Sequence, residues 1–459
     1  MVVTMKTMLR LTLSIFVVLL FNYFACGVVW GGLKGACAKV DITPPLGITL
    51  EGSQGKPSDA IMDELYAKAI VLSDGSNTIA IISADLLYTP MEEVAGPVRI
   101  AVHERLGIPP QNIMVCATHT HSSPKIFTGS KLPKEDQLDA SRVDRAYLDV
   151  LARKMADSVS IACRNMQDVR IGAAMGRLPE VLYNRRPTTG EGRAKMMFTL
   201  PPEVIATRKI ETTREGDVRV AFAFPSPQEQ LEFGPVDPMV LALRMEDTGG
   251  RIVGSLISFG CHPVCIYPYL STTISADYPA FATRVVEQAE GGISLFALGL
   301  AGNTVPLQRG PRPCEQIGKA LGGEALKRLQ LAATTGDATL HAVTREITLP
   351  MRTTPPSDGS AGNETPGSVT TEIQVLRLGS IYILGLPGEV LVEVGLAIKK
   401  KAGVENLFIV TLANDAVGYV CHRQAYEQGG YEPELGTLLA NGAGEVMIEQ
   451  ALALLGEIK

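Results

Sequence analysis

Six histidines serve 459 residues in this chain, and two of them, His119 and His121, stand one residue apart in "CATHTHSSPK". Imidazole is a common metal ligand and a general acid–base near neutral pH. The pair therefore offers joint ligation of one ion, or ligation by one ring and substrate handling by the other. The preceding "NIMV" reads as a strand, and alternation along it would point both rings the same way. His262, in "SFGCHPVCIYP", ends an apolar run at His-Pro, where stiff backbone can aim a side chain into a cleft. Glu389 follows "IYILGL" and the Pro387–Gly388 turn, a place that suits a metal-binding carboxylate or one favoured by the dipole of the next helix. Tyr419 and Tyr431 lie in the glycine-punctuated "VGYVCHRQAYEQGGYE", and Arg185, between Asn184 and Arg186, ends a strand where a guanidinium can fork onto an oxygen. Imidazoles, a carboxylate and phenols issuing from strand ends form a set suited to hydrolytic zinc chemistry. Zn2+ held by two histidines and a glutamate keeps a position open for water and lowers its pKa to about 7.

The elements that must hold these residues are legible in outline. "AKAIVL" and "TIAIISADLL", separated by "SDGSN", form a hairpin, and "SRVDRAYLDVLARKMADSV" is an amphipathic helix that covers a sheet face. After an excursion over residues 187–233, strands at "VLALRM", "IVGSLISFG" and "ISLFALGLAG" alternate with a helix at "PAFATRVVEQAE". A hairpin around Gly379, the strand "NLFIVTL" and helices at "VLVEVGLAIKK" and "GEVMIEQALALLGEI" complete the chain. Hairpins outnumber strict strand–helix alternation. The expected fold is α+β, with two mostly antiparallel sheets packed together and flanked by helices.

Composition narrows the function. A net charge of −6 and the lack of a basic tract argue against nucleic acid, and 46% hydrophobic residues support a buried core. The N-terminus pairs two basic residues with an apolar run too short for a bilayer span. Residues 1–27 therefore read as a signal peptide, and the mature protein as secreted or periplasmic, with lipid attachment at Cys26 the weaker option. The remaining domain, 28–459, carries a flexible loop at 351–371, rich in proline, glycine and small polar residues. Cys261 and Cys265 flank His262, but no second Cys-x-x-Cys pair accompanies them, so they read as buried thiols. No Gly-x-Ser-x-Gly elbow, Walker loop or dinucleotide fingerprint is present. Metal-assisted hydrolysis is the enzymatic class that remains.

In order, "KVDITPPLG", "DELYAKAIVLSDG", "ATHTHSSP", "NRRP", "GPVDP", "GCHP", "ISADYP", "AGNTVP", "LPGE" and "VGYVCHRQAYEQGGYE" resemble the catalytic domain of the neutral/alkaline, non-lysosomal ceramidase family, in a divergent bacterial-type form. The resemblance implies a zinc amidase with ligands at His119, His262, Glu389 and Tyr419. It also implies that His121, Arg185 and Tyr431 bind the amide carbonyl and stabilise the oxyanion. The implied substrate is a small molecule or lipid with an N-acyl group, such as ceramide, met through peripheral contact with a membrane surface. Three departures stand out. Val305 and Asn303 occupy the serine and aspartate positions of the family's Gly-Asp-Val-Ser-Pro, and Ser122–Lys125 replace a glycine-rich continuation. The chain also ends soon after the catalytic region, so the family's C-terminal immunoglobulin-like domain is expected to be absent.

Overall fold

The strands at 66–73 and 78–84 are largely apolar because both faces of their sheet are covered, one by helices and the other by a second sheet. The computed structural model describes residues 32–126, 143–225, 230–352 and 367–459. The larger sheet contains β1 (Lys34–Asp41), β2 (Tyr66–Ser73), β3 (Thr78–Ala84), β4 (Ile113–Ala117), β5 (Gln167–Arg177), β6 (Met239–Asp247), β7 (Ile252–Phe259) and β8 (Ile293–Leu298). Its spatial order is β8-β7-β6-β5-β1-β2-β3-β4. Pairing is antiparallel except at the two edges, where β7 runs parallel to β8 and β3 to β4. The smaller sheet is β9 (Leu340–Pro350), β10 (Ser368–Leu378), β11 (Ile381–Gly385) and β12 (Asn406–Val410), with only β11 and β12 parallel. The hairpins around 73–77 and Gly379 form as their turn residues dictate.

The two sheets meet through Ile70, Leu72, Ile81 and Met114 on one side and Leu376, Ile383 and Phe408 on the other. Helices α1 (Gly96–Leu106) and α2 (Arg145–Arg164) cover part of the larger sheet, α2 burying Leu148, Leu151, Met155 and Val159 at helical spacing. Asp144 caps α2 by accepting the Tyr147 N–H at 2.9 Å. Helices α3 (Asp277–Glu290) and α4 (Pro311–Leu331) pack on a further core with Phe259 and Phe296, while α5 (Val392–Ala402) and α6 (Ala443–Glu457) close the outer face of the smaller sheet. The α+β expectation holds.

The excursion supplies Lys209–Thr212 and Val218–Ala221 to a three-stranded sheet that Pro235–Val236, just beyond it, completes. The leader at 1–27 and most of the 351–371 loop lie outside the described residues. At the loop's margins, Met351 donates its N–H to Gly367, and the strand from Ser368 is already paired with β9. Backbone pairing there overrides a loop-like composition. Among the described residues no helix is long and apolar enough to cross a membrane, and the seven described cysteines are free.

Candidate active site

The chain leaves β4 at Ala117, so the strand expected to run through both histidines stops two residues short of His119. His119 then adopts φ +70°, a left-handed conformation rare outside glycine, with its N–H held by Leu86 O at 2.8 Å. Backbone reversal, rather than strand alternation, brings the rings together: the His119 and His121 centroids lie 5.0 Å apart. His119 Nδ1 bonds Leu87 O at 2.9 Å, which turns Nε2 inward.

His262 arrives from the end of β7, and the 301–304 turn fixes it twice. Its Nδ1 bonds Ala301 O at 2.8 Å and its backbone N–H donates to Thr304 O. The same turn holds Arg185, which donates from its backbone to Asn303 O and from Nη2 to Gly302 O at 2.9 Å. A Cβ on Gly302 would meet Val390 backbone atoms at 2.7 Å, so glycine lets this turn lie against the segment that carries Glu389. Glu389–Val390 forms a two-residue parallel pairing with Tyr419–Val420, which sets the carboxylate and the phenol side by side.

These elements converge on one point. His119 Nε2 lies 3.0 Å from His262 Nε2, and Glu389 Oε2 lies 3.2 Å from the former and 3.5 Å from the latter. His121 joins them, since one ring nitrogen from each of the three histidines falls within a 4.8 Å cluster. His121 Nε2 and Glu389 Oε2 are buried without a hydrogen-bond partner among the described residues. Burial, with the nearby His119 charge, holds the pKa of His121 and His262 well below the usual histidine value. Burial alone would raise Glu389. Attraction to His119, with the His119 imidazole and the Tyr419 hydroxyl close by, outweighs it and holds the carboxyl at about 2.

These donors fit a metal. Bonds of about 2.0–2.2 Å to nitrogen and oxygen place tetrahedral ligands about 3.3 Å apart, and the observed separations bracket that value. Imidazole Nδ1 atoms tied to carbonyls and Nε2 atoms converging inward are the orientation that ligation requires. Tyr419 also meets the group: its hydroxyl accepts from Arg185 Nη2 at 3.1 Å and hydrogen-bonds Glu389.

Arg185 is buried in a cage of Phe198, Tyr419 and Tyr431, its guanidinium carbon 5.4, 5.6 and 5.9 Å from their ring centroids. Burial disfavours its charge, but Tyr419 and Glu432 more than compensate and raise its pKa above the ordinary value. Glu432 receives Arg185 Nε at 2.8 Å and Arg186 Nη1 at 2.5 Å. Tyr431 is 38% exposed, so the cage has an open wall.

Several contributors escaped sequence reading. Tyr88 donates its hydroxyl to Glu389 Oε1 at 3.0 Å, Tyr267 stacks on His121 with centroids 5.5 Å apart, and Glu432 anchors both arginines. Asp85 and Asp277 stand near strand ends, where a carboxylate can orient a ligand histidine. Asp85 instead accepts the Tyr66 N–H, Asp277 accepts those of Ile266 and Tyr278, and backbone carbonyls orient His119 and His262. Val305 is fully buried in a short pairing with Tyr183, and the Thr304 hydroxyl is spent on Gly260 O and Leu300 O. Asn303 accepts the Val392 N–H and donates to Glu393.

No protein-family model matches this chain, and no curated protein matches its sequence. Among solved structures, neutral ceramidase from Pseudomonas aeruginosa aligns with a TM-score of 0.70 at 19% identity, covering 93% of this chain and 75% of that one. A ceramidase complexed with C2 gives 0.70 at 17% identity with the same coverages.

Proposed function

From the premise that this chain carries the neutral-ceramidase fold, we propose that it is a zinc-dependent amidohydrolase acting on an N-acyl, ceramide-like amide. The observation that carries the reading is the convergence of His119, His262 and Glu389 within 3.5 Å of one another, with the unpartnered His121 Nε2 beside them. His119, His262, Glu389 and Tyr419 would hold the ion. When bound, the ion supplies Lewis acidity and a water that ionises near neutral pH.

The remaining steps belong to side chains. Arg185 spends Nε and Nη2 on Glu432, Gly302 and Tyr419, which leaves Nη1 for a substrate carbonyl oxygen. Caged and already charged, it meets developing negative charge with little reorganisation. Tyr431, on the open wall, offers a hydroxyl to the same oxygen. His121 is kept neutral by burial, so its Nε2 can donate to the carbonyl oxygen in one tautomer or, in the other, take a proton from the attacking water and return it to the departing amine.

A second reading, a metal-binding pseudoenzyme or binding protein, is favoured by Val305. An isopropyl group fills the family's serine position, and Thr304 has no hydroxyl to spare. An esterase or deacylase would use the same oxyanion chemistry on another substrate.

Elemental mass spectrometry of the wild type beside His119→Ala, with fatty-acid release measured from N-acylsphingosine and ester analogues, separates these readings. We expect the wild type to hold one more zinc per chain than the variant and to cleave the amide. Failure to find a His119-dependent ion after zinc is supplied would overturn the metal assignment. A bound ion without turnover, with activity gained in Val305→Ser, would put the pseudoenzyme first.

A further inference from the structure

We propose that Cys265, Cys314 and Asp277 form a second, structural metal site for a thiophilic divalent cation such as Zn2+. The proposal does not rest on the hydrolase reading. The donors come from three pieces of chain: the loop after β7, the first turn of α4 and the first residue of α3. All three are buried, and the two Sγ atoms and a carboxylate oxygen lie within 4.8 Å of one another. Cys314 Sγ is 3.7 Å from Asp277 Oδ1, and Cys265 Sγ is 4.0 Å from the Gln308 carbonyl oxygen. Zinc bonds of about 2.3 Å to sulfur and about 2.1 Å to oxygen set a tetrahedral S···O edge near ~3.6 Å. The Asp277–Cys314 spacing is already that of two ligands on one ion, and the Gln308 carbonyl is a candidate fourth donor.

Charge balance is the second observation. Asp277 is 1% exposed and pairs with no lysine, arginine or histidine among the described residues; its partners are backbone N–H groups, including those of Ile266 and Tyr278, and the thiols. Buried charge is normally neutralised by an ion pair, by a metal or by protonation. Asp277 also holds φ +58°, a left-handed geometry that a non-glycine residue keeps where its surroundings fix it. Two thiols and a carboxylate are soft, anionic ligands once the thiols release their protons to solvent on binding. The ion would clamp the loop that carries His262 to the starts of α3 and α4, a tie already traced by Ile266 N–H to Asp277 Oδ2 and Gly310 N–H to Cys265 O.

The test takes the whole chain, reduced, stripped of metal and reconstituted with Co2+. Thiolate ligation gives a near-ultraviolet sulfur-to-cobalt charge-transfer band that imidazole and carboxylate ligation do not, so one spectrum distinguishes the two centres. We expect two cobalt ions per chain and the band. Cys265→Ser and Cys314→Ser should each lose the band and one ion. His119→Ala should lose the other ion and keep the band, and Cys163→Ser should keep both ions and the band. If the site variants do not fold, native mass spectrometry of the wild type counts the ions without substitution. Cobalt bound without the band overturns the proposal, as does a Cys265–Cys314 disulfide in protein isolated under thiol-blocking conditions. The band present with no His119-dependent ion would support this site while removing the catalytic one.

Discussion

Two buried polar groups lie side by side in this molecule and are satisfied in opposite ways. Around Glu432 both carboxylate oxygens are taken by Arg185 and Arg186, and Arg186 Nη2 bonds Gly429 O at 2.8 Å. Around Glu389 the outer atoms are fixed, with Nδ1 of His119 and His262 on carbonyls and Oε1 on Tyr88, while the inner atoms crowd together. The first arrangement is complete within the protein. The second leaves Glu389 Oε2 and His121 Nε2 without hydrogen-bond partners, an arrangement that a cation and a substrate would complete. Similar residue types are therefore satisfied within the protein in one place and left open to a ligand in the other.

The sharpest way to break this contrast is to remove one inner donor. His262→Ala should abolish tight binding of the ion and lower kcat/KM by at least about 10³-fold, the scale of losing a central electrostatic group. The thermal midpoint of the metal-free protein should hardly move. A large loss of apo-protein stability would show that the histidines are structural, as Glu432 is.

Glu432→Ala tests the other side. It leaves two buried guanidinium groups without their carboxylate, and breaking a buried pair of this kind costs about 3–5 kcal/mol. Urea denaturation should show the midpoint falling at constant slope. Activity should fall as well, because Arg185 loses the partner on Nε. Unchanged stability would mean that water replaces the carboxylate and that the node is not closed.

Arg185→Lys sits where the two regions meet, since Arg185 touches both Glu432 and Tyr419. An ammonium keeps the charge but cannot serve Glu432, Gly302, Tyr419 and a substrate oxygen from one rigid fork. The expected result is a roughly 10–100-fold loss in kcat with the ion retained. Full kcat would remove Arg185 from the oxyanion role.

The comparison also explains what could be read in the chain beforehand. His119, His262 and Glu389 were visible because scarce or charged residues interrupt apolar strands at strand ends, a local signal. The hairpins and α2 were visible through turn chemistry and helical spacing. The geometry of His119 was misread, because strand alternation cannot anticipate a left-handed residue just past the strand. Glu432 and Tyr88 left no local mark. Glu432 lies 247 residues from Arg185, and Tyr88 lies 301 from Glu389. The thiol–carboxylate cluster draws on three elements in the same way. The fold carries over at 19% identity because core patterning tolerates substitution.

Tyr88→Phe is the gentlest test, because it removes one hydroxyl from the outer ring of the Glu389 centre and leaves every inner atom in place. The ring should keep its packing beside His119, 5.7 Å between centroids. Glu389 Oε1 would lose its 3.0 Å bond, while Tyr419 still donates to the carboxylate. Partners of this kind typically contribute 10–100-fold to metal affinity; with Tyr419 remaining, the low end, about tenfold, is expected. Competition against a chelator of known affinity would measure it, and saturating zinc should return kcat nearly to wild type. If kcat stays low at saturation, the Tyr88 hydroxyl acts on the substrate rather than on Glu389, and the outer ring takes part in the chemistry it was assigned only to orient.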